Sequence, residues 1–317
     1  VLLVNHNNAL LRTPQIRKAI AYALDRRDII TKAYLGHAFA TDVPVPPHSW
    51  LYDSDSKVYD YNVREAEALL RAEGWLDLDG DGILEKQESG NALRKLSFRL
   101  LVNDTPDESK RKDAANLIQQ CLGEVGIDVQ VVTAAWTNEK NDYLSALNAG
   151  NFDLALSGFY MNSCPDLSSY LSSNGTLNYG GYSSGEMDAL LQRVQQATEE
   201  NELNAAMEGL QAYFVSDLPF IQLYFRTSSV LFADEVNLTS AAQLTEDAPF
   251  RGVERWYLDS RGLSLFPAKM ESTESTWRSF DTVTPEESLN AEEGASAGGG
   301  DDENGDEGVE TGENGAA

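Results

Sequence analysis

Two short apolar runs, "LSFRLLV" (96–102) and "IDVQVV" (127–132), enclose the stretch "ESKRKDAANLIQQCLGEVG". The runs have the length and residue types of buried strands, and the enclosed stretch spaces its apolar residues as an amphipathic helix ending at Gly126. A strand, a helix and a strand in that order predict a parallel crossover, since parallel neighbours cannot be joined by a tight turn. The alternation continues downstream. A helix is expected around Asn138 to Ala149, a strand at "FDLALSGFY" (152–160), two helices between Gly185 and Ser216, and a strand at "FIQLYF" (220–225). This pattern predicts an α/β fold.

Upstream, "TPQIRKAIAYALD" reads as a helix with Thr13 as N-cap, Pro14 at the first position, and Ile16, Ile20 and Leu24 on one face. A second helix spans Asp28 to Leu35 and stops at Gly36, and "PVPPHSW" (44–50) enforces a helix-free segment. In "NVREAEALLRAEGW", Asn62 and Glu65 have capping-box spacing and Gly74 ends the helix. With 42% hydrophobic residues among 317, a core of one or two domains can form.

The net charge is -27, and residues 271 to 317 hold fourteen acidic residues against Arg278 alone. A chain so acidic, without a Lys or Arg cluster, excludes nucleic acid as a partner and disfavours anionic membrane surfaces. The Gly- and acid-rich segment 285–317 is expected to be a disordered tail, joined through a linker at 260–284. Cys121 and Cys164 lack Cys-x-x-Cys spacing and read as free thiols. The first residues, "VLLVN", are strand-like and lack an initiator Met, so the chain is expected to be part of something longer.

Three motifs could carry chemistry. "DLDGDGILEKQE" (77–88) has the spacing of a twelve-residue calcium loop. Asp77, Asp79 and Asp81 would supply side-chain oxygens, Ile83 a carbonyl, Glu85 a direct or water-mediated contact and Glu88 a closing bidentate pair. The setting is helix–loop–strand rather than helix–loop–helix, so a bound calcium would be structural. A tight polar turn uses the same residue types. "GYSSG" (181–185) matches a nucleophile elbow around Ser183, but all three histidines, His6, His37 and His48, precede it, against the Ser, acid, His order of that fold. A secreted hydrolase and a calcium-dependent structural module therefore stand as alternatives. Third, Phe159, Tyr160, Asn162, Asp166, Tyr170, Asn178 and Tyr182 lie in a Gly- and Ser-rich segment leaving a strand. Flat apolar walls with a few polar groups are the mix of a ligand pocket. Phe159, Tyr160 and Tyr182 would line it, and Asn162, Asp166 and Asn178 would orient the ligand.

Four ordered blocks, "IRKAIAYALDRRDIITKAYLGHA", "AEALLRAEGWLDLDGDGILEK", "FDLALSGFYMNSCPDLSSYL…NYGGYSSGEMDALL" and "LPFIQLYF", resemble the later half of the family 5 extracellular solute-binding proteins, the oligopeptide- and dipeptide-binding class. The resemblance covers roughly residues 1 to 259. It implies a type II periplasmic-binding-protein-like clamshell, non-enzymatic and extracytoplasmic, that closes on a peptide or similar small solute and delivers it to an ABC transporter permease. It further implies that 1–259 hold the second lobe and the strand return to the first, with the N-terminal lobe and its signal or anchor outside the chain. Members often carry a "GW…D.DGDGI" turn without being calcium sensors. Peptide binders of the family place an aspartate after the strand to pair with the ligand's amino group. Asn162 stands at that position here, with Asp166 nearby.

Overall fold

The computed structural model describes residues 1–88, 92–105, 109–136, 141–159, 166–227, 236–237 and 257–258. The expected linker and acidic tail lie outside them, as do Cys164, Tyr160 and Asn162. The chain divides into two compact units, Val1–Ser229 and Val230–Ala317.

The first unit opens with β1 (Leu2–Val4), α1 (Pro14–Ala23), α2 (Arg26–Tyr34) and β2 (Ala38–Ala40). Pro14 starts α1 as expected, while Thr13 occupies the N-cap position without a side-chain cap bond. α2 begins earlier than its predicted start at Asp28. Asp25 caps it by accepting the Asp28 N–H at 2.9 Å, and Leu35 and Gly36 close it in the left-handed region. α3 (Val63–Ala72) follows, and Asn62 accepts the Glu65 N–H at 3.1 Å. The Asn62 N–H donates to the Tyr22 carbonyl at 2.9 Å, so α1, not Glu65, satisfies the other half of the expected box.

The strands β3 (Glu85–Gln87) and β4 (Leu93–Lys95) pair as a hairpin. Then come β5 (Ser97–Asp104), α4 (Ser109–Glu124), β6 (Asp128–Ala135), α5 (Asp142–Asn148) and β7 (Leu154–Leu156). β5 pairs in parallel with β6 and β7, and β1 adds antiparallel to β7, giving the order β1-β7-β5-β6. The predicted crossover is therefore present, with α4 packed on β5 and β6. β5 starts as an alternating strand and becomes continuously buried from Leu100 to Asn103, as a central strand should.

Two strands differ from expectation. β7 is three residues, not nine: the Asp153 carboxylate, rather than a ladder carbonyl, accepts the Arg99 N–H at 2.8 Å, and beyond Leu156 the partner β1 has run out. The buried run from Phe220 to Leu223 bridges to β1 through Ile221 and Leu2, and the strand proper, β8 (Tyr224–Arg226), lies later and pairs with β2. Before it come α6 (Ser168–Leu171), α7 (Gly185–Gln196) and α8 (Glu200–Asp217). In the second unit, β9 (Val236–Asn237) pairs antiparallel with β10 (Tyr257–Leu258).

Two buried arginines fasten the N-terminal helices. Arg17 pairs with Asp217 at 3.0 Å and donates to the carbonyls of Leu11 and Arg12. Arg26 pairs with Asp42 at 3.0 Å and donates to the carbonyls of Ala21, Tyr59 and Gln222. The second Asp42 oxygen accepts the N–H groups of Val58 and Tyr59, so both charges are met by hydrogen bonds as burial demands. Among the described residues, no helix is long and apolar enough to cross a membrane.

Candidate functional site

Because β5, β6 and β7 are parallel, their carboxyl ends lie on one edge of the sheet, where open α/β sheets take their ligands. The chain leaves that edge after Asp104, Ala135 and Leu156. At the first exit Asn103 is buried, and its Oδ1 accepts a hydrogen bond from Arg111 Nη1 at 2.7 Å, in the first turn of α4. A Cβ on Gly158, at the third exit, would stand 3.3 Å from Arg111 Nη2, so a side chain there would crowd the guanidinium. At the second exit Trp136 is 39% exposed, its ring 5.5 Å from that of Tyr143. The Tyr143 hydroxyl donates to the Leu156 carbonyl at 2.9 Å, tying the second exit to the third.

Phe159 stacks on Tyr170 at 4.1 Å and meets Phe220 edge-on at 5.5 Å, forming an aromatic floor beside the third exit. Asp166 is exposed, and its Oδ1 accepts the Ser168 N–H at 2.9 Å at the start of α6; hydrogen bonds from Ser168 hold its carboxyl below the usual range. Asn178 and Tyr182 sit deeper. Asn178 donates to the carbonyls of Ser172 and Tyr182 and accepts the Tyr182 N–H, knitting the loop together. Tyr182 is buried, its hydroxyl donating to Asp217 Oδ2 at 2.6 Å, and burial with that bond pushes its phenol well up. Both residues hold the segment in shape with groups already engaged inside the fold. Asn103, Arg111 and Trp136 went unread in the sequence, because they belong to other strands and only the parallel sheet gathers them.

Ser183 does not sit in an elbow. It is exposed, follows a turn rather than a strand, and its Oγ donates to Ser173 Oγ at 3.1 Å. His6 donates Nε2–H to the Pro219 carbonyl at 2.7 Å and packs on the Tyr182 ring.

The acidic loop is indeed entered from a helix and left through a strand. Asp77, Asp79 and Glu85 each bring an oxygen within 4.8 Å of the others. Asp77 accepts from the N–H groups of Gly80 and Gly82, Asp79 from that of Asp81, and Asp81 from that of Ile83. Glu88 is not among the converging groups: it pairs with Arg94 across the hairpin at 3.2 Å.

The family described as "Bacterial extracellular solute-binding proteins, family 5 Middle" matches residues 1–181. The oligopeptide-binding protein AppA of Bacillus subtilis is 26% identical over 261 residues, 80% of this chain and 46% of that protein. The AppA structure, in complex with a nonapeptide, superposes with a TM-score of 0.66 at 25% identity, covering 82% of this chain and 50% of that one. NikZ of Campylobacter jejuni, in complex with Ni(L-His), shares the fold with a TM-score of 0.64 at 20% identity, over 80% and 50% of the two chains. The chain thus spans about half the length of the proteins it matches.

Proposed function

Because the chain belongs to the bacterial extracellular solute-binding proteins of family 5, we propose that it forms one wall of an extracytoplasmic clamshell that captures peptides or related small solutes and hands them to an ABC transporter permease. The observation that carries this reading is the convergence of three strand exits on one edge, with Asn103, Arg111, Trp136 and Phe159 brought together there. A binding protein needs such an edge. Tyr160 and Asn162 follow β7 in the sequence, and Asp166 or Arg111 gives a peptide's charged end a partner. The opposing wall would come from the half of the relatives' length that lies outside the matched span. Closure draws its free energy from contacts that exist only when both walls touch the ligand. Without that enclosure, water competes for each polar contact.

A thermal-shift screen of short peptides and small solutes tests the proposal, run on the 317-residue chain and on the protein as its gene encodes it. Stabilisation by peptides is expected, weaker for an isolated half. Tyr160→Ala, Trp136→Ala and Asp166→Asn should reduce the ligand-induced shift while leaving the unliganded melting temperature nearly unchanged. Variants that respond to ligand as fully as the parent would place the pocket elsewhere.

A further inference from the structure

We infer that the loop from Asp77 to Glu85 is a calcium site closed by the buried Glu85 at the ninth position, and not by Glu88 at the twelfth. Glu85 itself carries the inference. It is fully buried at the first residue of β3; its Oε2 accepts the Leu78 N–H at 2.9 Å, whereas its Oε1 accepts no hydrogen bond. A carboxylate withdrawn from water with one oxygen unbonded is costly unless a cation faces it. Oxygens of Asp77 and Asp79 converge with it inside 4.8 Å, a spread that one ion with ligands at roughly 2.4 Å can bridge.

The cation now nearest is the Lys95 ammonium on β4, 3.7 Å from Asp79 Oδ2 and from Glu85 Oε1 and in contact with Asp81 Oδ2. One ammonium faces three carboxylates. Its side chain is 43% exposed, so it can swing to solvent when a divalent ion takes its place. Gly82 at the sixth position has the left-handed backbone, φ +87, that the turn of such a loop requires, and Ile83 follows as the backbone ligand. The shorter loop has a physical reason. A helical exit needs twelve residues to return a carboxylate to the ion, but here β3 starts at Glu85 and points that side chain straight back, while Glu88 is spent on Arg94. Several carboxylates in an irregular loop suit calcium over magnesium, which demands a strict octahedron and keeps its waters.

The ion's role follows from where the loop is tied. Leu76 and Glu85 exchange backbone hydrogen bonds, Leu84 N–H donates to the Gly126 carbonyl at 2.8 Å, and Leu96 N–H donates to the Leu84 carbonyl at 2.8 Å. The loop therefore pins the end of α3 to the amino edge of β5 and β6, opposite the edge proposed for ligand. A bound ion would stiffen that base without touching the ligand.

The test is calorimetric titration of calcium chloride into the chelator-treated 317-residue chain, with magnesium chloride as comparison. One calcium per chain is expected. Glu85→Gln and the exposed-site variant Asp79→Asn should each weaken binding by roughly tenfold or more, since ligand charge sets affinity in such loops. Glu88→Gln should leave it unchanged and Lys95→Met should tighten it. Circular dichroism reports whether each variant is folded, and Asp79→Asn decides the matter if Glu85→Gln is not. Absence of binding in both the parent and Lys95→Met would overturn the inference, as would binding that survives Asp79→Asn or is lost with Glu88→Gln.

Discussion

His6 shows how burial writes a pH dependence into this fold. Its ring is half-buried against Tyr182, and desolvation lowers its pKa to about 4 despite the bond to Pro219 that favours the charged form. The unfolded chain, with a histidine near 6.5, binds a proton more readily than the folded one between those values. Stability contributed here is thus complete above about pH 6.5 and is lost as the pH falls towards 4. His6→Gln should flatten the fall in stability across that window by on the order of 2 kcal/mol, read from urea midpoints at several pH values. Asp42 gives a second outcome at this scale. Asp42→Ala leaves Arg26 buried without its counter-charge and should cost roughly 3–5 kcal/mol in chemical denaturation. Neither residue announces its role in the sequence. Arg26 and Asp42 are ordinary polar letters there, sixteen positions apart, and what marks them is the core that α1, α2 and the chain near Gln222 close around them.

At the scale of elements, Gly126 and Gly123 make a paired test. Gly126 ends the α4 connection at φ +77, and a Cβ there would lie 2.6 Å from Leu84 Cγ, so Gly126→Ala combines backbone strain with a clash. It should destabilise by about 1–3 kcal/mol. Gly123, within α4 and facing open space, should gain about 0.5–1 kcal/mol on replacement by Ala. Thermal melts of the two variants check both signs. The elements most legible in the sequence were those whose local signals agree with their packing: Pro14 opening α1, Asn62 capping α3, Gly126 ending the helix between β5 and β6. Those that departed were governed by a partner. β7 is as short as β1 allows, and β8 begins where β2 offers a neighbour, a distance information that no run of "FIQLYF" contains. The loop ending at Glu85 was half legible, since its spacing is local but the burial of Glu85 and the diversion of Glu88 to Arg94 depend on the hairpin.

For the whole molecule, family and α/β architecture were readable because ordered blocks and alternating periods survive in one sequence. The candidate ligand edge was only partly so. The segment after β7 stands out by its aromatic residues, but Asn178 and Tyr182 within it prove to brace the loop, and Arg111 and Trp136 join the edge only through the parallel pairing of β5 with β6 and β7. On the proposed function, ligand meets the protein where those three strands end. Hydrogen–deuterium exchange, with and without the solute that stabilises the protein most, tests it directly. Slowed exchange is expected to be confined to residues 105–111, 136–142 and 157–170, with the 77–85 loop at the opposite edge unaffected. Protection centred on that loop or on α7 and α8, with the three strand exits unchanged, would contradict it.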